Sequence, residues 1–505
     1  MSGLSRGVVS RYAAGSLGTG GFATLPGLVL VYYLTDSLGV TALAAGAIVT
    51  LAKVWDVLID PVIGGLSDRA LARTGSRRGP MLIGSIGLPL AFVLTFAVPG
   101  GLGPAASATW VLVAFVAAAT CFSLFQVPYI ALPAELTDGY RERTRLLTWR
   151  VVVLTLAILL FGAGGPELRG LFPGDPLLGY LVMAIAAAAV LAVSLLIATT
   201  VAPVAAKAEA RDRGAARDPR AMRDRGADRA PGALAHYRAG IAVLRESQPF
   251  RALLATFMLQ GLATGLMLAG AQFVATWVLR DEGAVTVLFV SLIAPALPVA
   301  PLWRRAADRI GKERSYRLAS TAFLVAALAL IGMVWAPGWW IVAPLALAGA
   351  AYAGMQTLPM AMLPDVISHD AISHAAIDRA ARARGGADAG SSSRIEAGEA
   401  SRDAPADGTG IGIGAGQNRA GVFGGVWTAG ETTGMALGST VLTIVLALTG
   451  YAASTAGVSV EQPAAAIAGI SLSFSLLPAA LLALSLVALG RYRLREHDLL
   501  PDGRA

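Results

Sequence analysis

Asp56 and Asp60 stand four residues apart inside one apolar stretch, LAKVWDVLIDPVIGGLSDR. The surrounding segment, roughly 41–66, is long and apolar enough to cross a bilayer. A carboxylate near a bilayer centre costs at least about 2.5–3.5 kcal/mol on insertion scales, so a chain retains it only where something offsets that cost. Spacing of four puts both carboxylates on one helical face. Lys53, three residues before Asp56, shares that face. Two acids with one base make a polar stripe that faces a protein interior and is able to hold a cation. The competing reading is a buried ion pair that only joins helices.

The elements that position this stripe follow from composition. The chain has 505 residues, 55% of them hydrophobic and only 14% charged. A soluble domain carries about 25% charged residues, so this is a polytopic membrane protein. Twelve apolar runs can be counted: 11–35, 42–67, 80–99, 105–134, 148–165, 177–202, 248–279, 284–303, 316–336, 339–363, 420–449 and 464–490. Their length and weak two-residue alternation argue for helices rather than a barrel. The expected fold class is an all-α membrane protein with twelve transmembrane helices in two pseudo-repeated six-helix bundles.

The net charge of +8 is no nucleic-acid signal, because the basic residues fall in alternate loops. Clusters occur at Arg69, Arg73, Arg77 and Arg78, at Arg141, Arg143 and Arg145, at 207–245, at 304–317, at 379–419 and at 491–495. In the opposite loops Arg169 and Arg280 are the exceptions. The positive-inside rule then places both termini and the long loops in the cytoplasm of a multi-pass inner-membrane protein. The N-terminus lacks a signal-peptide layout with a cleavage site, so the first span is expected to act as its own insertion signal. A single cysteine, Cys121, excludes an internal disulfide. His236, His369, His374 and His497 lie in cytoplasmic segments without metal-ligand spacing. No nucleophile–base constellation is visible, so the chain is expected not to be an enzyme and to need no cofactor.

The expected organisation is a six-span bundle over 1–202, a linker over 203–247 and a second bundle over 248–505. The linker core, EARDRGAARDPRAMRDRGADRAPG, has no apolar face and reads as flexible. A second polar segment at about 375–416 reads as a disordered insertion; its glycines follow no strand and precede no Gly-Lys-Ser/Thr, which argues against a phosphate loop. The halves echo each other. GGLSDRALARTGSRRGP follows the second span and WRRAADRIGKERSYR the eighth. ALPAELTDGYRER follows the fourth span and AMLPDVISHD the tenth. Repeated six-helix halves are a transporter design, with the substrate site between them near the midplane.

On these motifs the chain resembles the glycoside–pentoside–hexuronide:cation symporters, the melibiose-carrier-like branch of the major facilitator superfamily. LAKVWDVLIDPVIGGLSDRALARTGSRRGP resembles that family's helix 2 and loop 2–3 signature, and VPYIALPAELTDGYRERTRLLTWR its helix 4 to helix 5 signature. VYYLTD, LPMAMLPDVISHD and GVFGGVWTAGETTGMALG fit the ends of helices 1 and 10 and helix 11, in order over nearly the whole chain. The resemblance implies a coupled monovalent cation, Na⁺, H⁺ or Li⁺, between helices 2 and 4. Asp56 and Asp60 stand where the family's cation carboxylates stand, Lys53 matches a basic residue near that site, and Ser123 falls where a hydroxyl ligand is expected. Arg150 matches an arginine near the sugar pocket. Four positions depart from the family's sugar site: Gly20 and Gln126 replace aspartates, Gln356 replaces a stacking tryptophan, and Thr432 replaces a lysine. The cation site is therefore expected to be retained and the sugar site rebuilt, so galactoside specificity is not carried over.

Other polar residues inside the spans extend the candidate set. Gln126, Tyr129 and Phe122 share one face of the fourth span, where Gln126 can bond hydroxyls without a charge or can join helices. Gln260 and Gln272 in the seventh span, and Tyr352 and Gln356 in the tenth, are further pocket candidates. Glu431 is a third intramembrane acid, readable as a proton site, a substrate contact or a packing group, and Trp427 is a stacking surface or a packed or lipid-facing ring. Asp68, Arg69, Arg77 and Arg78 form a short charged loop expected to brace one conformation, with Glu135, Asp138, Arg141, Glu142 and Arg143 as the partner network; the simpler reading is topology-setting charge.

The expected function is cation-coupled symport of a small polar solute, a sugar or glycoside by resemblance, in a carrier that works as a monomer within the lipid bilayer. The alternatives are a carrier for an amphipathic or lipid-like solute, an exporter, or a membrane sensor or anchor.

Overall fold

The computed structural model describes residues 4–137, 140–203, 205, 233–392, 412–458 and 460–494. Asp138 and the linker core lie outside the described residues, as do 393–411. The helices are α1 (Arg6–Tyr32), α2 (Ala42–Thr74), α3 (Arg78–Phe96), α4 (Pro104–Leu136), α5 (Tyr140–Gly170), α6 (Pro176–Thr199), α7 (Ala233–Glu246), α8 (Gln248–Phe273), α9 (Ala284–Ile293), α10 (Ala296–Ile310), α11 (Lys312–Ala329), α12 (Val342–Ser392), α13 (Gly412–Leu448), α14 (Ala464–Phe474) and α15 (Leu476–Gly490). Among the described residues, 12 helical segments are long and apolar enough to cross a membrane. The α9–α10 pair, broken at Pro295, makes the eighth, and the α14–α15 pair, broken at Ser475, makes the twelfth.

Local chemistry sets the ends. Pro104 and Pro176 open α4 and α6 where a missing N–H costs nothing. Asp175 caps α6 by accepting from the Leu178 amide at 3.0 Å. Gly75 ends α2 with φ of 69°, a left-handed turn that suits glycine. One expectation changes. α12 runs on to Ser392, through the first part of the segment read as disordered, because its Ala- and Arg-rich composition favours helix. Helix resumes at Gly412.

The helices pack as two bundles, α1–α6 and α8–α15. In the first, α1 lies against α5 and α6, α3 against α4 and α6, and α2 against α4. In the second, α8 lies against α13 and α15, and α11 against α12 and α15. Without a hydrophobic drive between helices in lipid, close approach rests on small residues. At the α8–α13 crossing, a Cβ on Gly438 would run into the backbone of Gly265 and Leu266, and one on Gly265 into the Met435 carbonyl.

One end of the molecule carries the charged α2–α3 and α10–α11 loops; we call it the basic end and the opposite one the far end. Contacts joining the bundles gather toward the far end. The Thr50 and Thr440 hydroxyls bond at 2.7 Å between α2 and α13, the Tyr32 and Phe273 rings meet edge-on at 5.2 Å, and Arg169 of α5 pairs with Glu282 at 3.2 Å. At the basic end each loop is tied within its own bundle: Arg77 to Asp68 at 2.7 Å and to Glu135 at 2.5 Å, Lys312 to Asp365 at 2.6 Å.

The α8–α13 crossing yields a direct test. Gly438→Ala must force two backbones apart and is expected to cost about 1–3 kcal/mol as overpacking. Gly425→Ala, on the same helix in open space, is expected to be neutral or slightly stabilising. Thermal unfolding of the detergent-solubilised protein separates the two.

Candidate cation and solute site

α2 divides lengthwise. Leu51, Val54, Leu58 and Val62 are exposed and form the face that meets lipid. Lys53, Asp56 and Asp60 are half-buried, and Ile63 and Ser67 continue their face as buried residues. Helical period alone produces this split. The Trp55 indole donates to Thr120 Oγ1 of α4 at 2.8 Å and fixes how α2 sits against α4.

The structure brings the expected cation residues together. Lys53 Nζ donates to Asp56 Oδ2 at 3.0 Å, a pair contained within α2 itself. Such a pair neutralises one acid without joining two helices. Ser123 of α4, 2% exposed, lies within interaction range of the Asp60 carboxyl. Lys53 acts on Asp60 only through its longer-range field. Asp56 Oδ1, Asp60 Oδ1 and Gln126 Oε1 are all buried and accept no hydrogen bond among the described residues. Unsatisfied buried acceptors of this kind cost about 1–3 kcal/mol each. Grouped oxygens on two packed helices suit a dehydrated monovalent cation.

The solute candidates divide into groups. Arg150 lies over the Tyr129 ring, 5.6 Å from its centroid, and within electrostatic reach of Glu431 in the other bundle. Tyr352 feels the same Glu431 and accepts from the Gln356 amide at 3.0 Å. These residues approach the region between the bundles from both sides. Tyr129 has a different role from the pocket contact expected. Its hydroxyl is committed to the Tyr12 carbonyl at 2.7 Å and Ser16 at 2.9 Å, and its ring stacks on Tyr12. It is fully buried, so it ties α4 to α1 and floors Arg150.

Trp427 is buried and stacked on Phe257 at 4.6 Å, so it is not lipid-facing, and its indole N–H has no acceptor among the described residues. Gln260 is a correction. Its amide donates to Ser320 and accepts from Tyr316, both at 2.8 Å, inside the second bundle. A polar residue on an apolar helix served as internal glue there. Gln272 is also fully buried, with its amide on Thr276 at 3.2 Å and its carbonyl oxygen unpaired among the described residues.

Of the charged loop, Arg77 is the organiser. It donates to Asp68, to Glu135 and to Ser67 Oγ at 2.8 Å. Burial works against its charge, but the Glu135 and Asp68 carboxylates outweigh that and hold the guanidinium above its ordinary range. Arg69 and Arg78 are exposed. Glu142 pairs with Arg145 at 3.4 Å, and Arg143 donates to the Thr137 carbonyl at 3.1 Å. Asp138 is outside the described residues, and so is the Arg141 side chain.

Comparison with known proteins decides the class. A family model described as MFS/sugar transport protein matches residues 11–374 and 414–496. The chain belongs to that family. It is a family of transporters, not of enzymes, and the chain is a multi-pass membrane protein with the major facilitator fold. Among solved structures it is similar to a D-xylose–proton symporter (TM-score 0.62, 11% identity, 96% of each chain covered). It is also similar to the xylose transporter of E. coli (TM-score 0.57, 14% identity, covering 97% of this chain and 99% of that one). Curated relatives match over shorter stretches. An uncharacterized symporter of Synechocystis is 34% identical over 168 residues, 31% of each chain. A putative glycoside/cation symporter of Escherichia coli is 29% identical over 153 residues, 30% of this chain and 33% of that one. An isoprimeverose transporter of Lactiplantibacillus pentosus is 26% identical over 145 residues, 29% of this chain and 30% of that one. The chain thus spans about a third of the length of these relatives.

The sequence reading missed Asp36, Tyr451 and Trp277, which meet at the far end. Asp36 was visible as an acid closing the first span in VYYLTD, but its partner lies 415 residues away.

Arg77 provides the test of the loop. Arg77→Ala strands the nearly buried Glu135 and is expected to cost about 3–5 kcal/mol, as when one partner of a buried pair is removed. Arg69→Ala, exposed, is expected within about 0.5 kcal/mol of the parent. Thermal unfolding in detergent reads both.

Proposed function

We propose that the protein is a secondary active symporter that couples a monovalent cation, Na⁺ or H⁺, to a small polar solute by alternating access. The observation that carries this reading is the set of unpaired buried oxygens of Asp56, Asp60 and Gln126, beside a lysine that answers only one of two acids. A cation held there offsets the remaining charge and completes the oxygens' coordination. In this reading Gln126, one helical turn from Ser123 on α4, serves both sites, so that filling the cation site orders a group that meets the solute. Coupling follows if each ligand favours the same state.

The solute class we propose is a sugar or glycoside. Support comes from relatives whose names specify glycoside/cation symport and isoprimeverose transport. The uncharged amide of Gln126, the Tyr352–Gln356 pair and the opposed charges of Arg150 and Glu431 suit a polyhydroxylated solute. Residues 1–202 and 248–505 rock as two units joined by 203–247. The basic end faces the cytoplasm with both termini, in the inner membrane, and the carrier works as a monomer. With its bundle ties at the far end and its basic-end loops satisfied within each bundle, the structure corresponds to the inward-facing phase. Loops at 68–78 and 312–317 are then free to exchange partners across the bundles when the carrier turns.

A thermal-shift screen tests this. Na⁺, Li⁺ and pH are varied with and without a panel of sugars and glycosides. A ligand at one hundred times its Kd is expected to stabilise by about 2.7 kcal/mol. The shift should appear with one cation, grow when a sugar is added, and vanish in Asp60→Asn. A cation shift indifferent to every sugar would move the solute class elsewhere; no shift at all would contradict the cation site.

A further inference from the structure

The far end holds a device that the cation and solute residues do not use. α1 continues as a π-helical turn at Tyr33–Ser37, and α8 continues as another at Val274–Val278. These are equivalent places in the two bundles, and single π turns tend to mark functional positions. Each turn presents one polar side chain to the same hydroxyl, that of Tyr451, just past the end of α13. The Trp277 indole donates to it at 2.7 Å, and it donates to Asp36 Oδ1 at 2.5 Å. The other oxygen, Asp36 Oδ2, accepts from Thr35 at 2.5 Å.

A short backbone ribbon flanks this chain of bonds. Ser454 N donates to the Thr35 carbonyl at 2.8 Å, Gly39 N to the Ser454 carbonyl at 2.9 Å and Ala456 N to the Ser37 carbonyl at 3.0 Å, with Leu38 opposite Thr455. The ribbon joins the first bundle to the second and makes no use of side-chain identity. Asp36 does. Glu282, on the turn after α8, acts on Asp36 from the neighbouring element, and it is itself paired with Arg169 of α5. The carboxylate accepts from two hydroxyl donors, Thr35 of the first bundle and Tyr451 of the second, with the Trp277 indole of the second bundle also within reach. The Tyr451 phenol, pushed above its ordinary range first by burial and then by Asp36, stays protonated and remains a donor.

We propose that Asp36 and Tyr451 form the latch of the far-end gate: a carboxylate of the first bundle that is dry only when the gate is shut takes its partner from the second. The proposal rests on the rocking-carrier reading above and is independent of which cation or solute is carried. The two residues are positioning residues, since neither touches the cation or the solute region. When the bundles separate, water replaces Tyr451 at no great loss. With the hydroxyl removed, that Asp36 oxygen loses its short donor in the shut state, leaving the Trp277 indole as the nearest replacement, and the equilibrium moves toward the open one. Removing Asp36 as well takes away that charge and returns the balance toward shut.

The test is a distance measurement between spin labels across the far end. Labels at Leu171→Cys and Trp335→Cys, both exposed and one on each bundle, are placed in a Cys121→Ser background in lipid nanodiscs. Pulsed electron–electron resonance then gives the populations directly. The parent is expected to show a dominant short distance, with the longer one below about a tenth of the population. Tyr451→Phe is expected to raise the longer population to about a third or more, and Tyr451→Phe combined with Asp36→Ala to reverse at least half of that gain. A distribution unchanged by Tyr451→Phe overturns the latch. So does an opening that Asp36→Ala fails to reverse, since lost packing around the tyrosine would then be the cause. A missing cation response in the thermal screen would count against the symport reading and leave this result untouched.

Discussion

A carboxylate on a helix whose other face meets lipid must find its counter-charge inside the protein, and among the described residues Asp60 has none of its own. Lys53 is three residues from Asp56 and pairs with it at 3.0 Å; it reaches Asp60 only through space. The lipid-facing row of Leu51, Val54, Leu58 and Val62 prevents α2 from turning the acid out to any other environment. Asp60 is therefore held against α4, with Ser123 beside it and the unpaired oxygens of Asp56 and Gln126 on the same two helices. The first bundle's packing, with Trp55 bonded to Thr120 and α2 laid on α4, keeps this arrangement in place. A site that is incompletely satisfied by protein groups alone is one that a mobile cation can stabilise, and that is the property a coupling site needs.

The two ends of the molecule handle charge differently. At the basic end, Arg77 and Lys312 each satisfy acids of their own bundle, so nothing in those pairs resists separation of the bundles. At the far end, Arg169 with Glu282, Thr50 with Thr440, and Asp36 with Tyr451 all join one bundle to the other. These polar ties are set among apolar contacts such as Tyr32 on Phe273 and the Phe289 ring against Gly162. Polar ties that water can replace cost little to exchange, whereas a large interlocked apolar interface would hold the carrier in one state. Glycine-mediated approach within a bundle, as between Gly265 and Gly438, has the opposite character and keeps each bundle rigid while it moves.

The spans were legible because bilayer crossing imposes a local requirement of length and hydropathy, so each can be recognised without knowing its neighbours. The Asp56–Asp60 stripe was legible for the same reason: its residues share one helix. Legibility failed where the deciding partner was remote. Gln260 looks the same as Gln126 in sequence, and only Tyr316 and Ser320 reveal that it is bound inside the second bundle. Tyr129 read as a pocket residue until Tyr12 and Ser16 of α1 took its hydroxyl. Asp36 depends on a tyrosine at the other end of the chain, and no spacing rule connects positions so far apart. At 375–392 helix propensity outweighed polarity, which on its own had suggested disorder.

The measurement that bears most directly on coupling is uptake by purified protein in liposomes under an imposed cation gradient, with the solute at equal concentration on both sides at the start. An inward Na⁺ or H⁺ gradient is expected to concentrate a sugar or glycoside above the bath. Asp60→Asn is expected at most to carry it down its own gradient, leaving the two sides equal. Accumulation by Asp60→Asn that matched the parent would contradict the account, because the acid on which the cation site depends would then have no part in coupling.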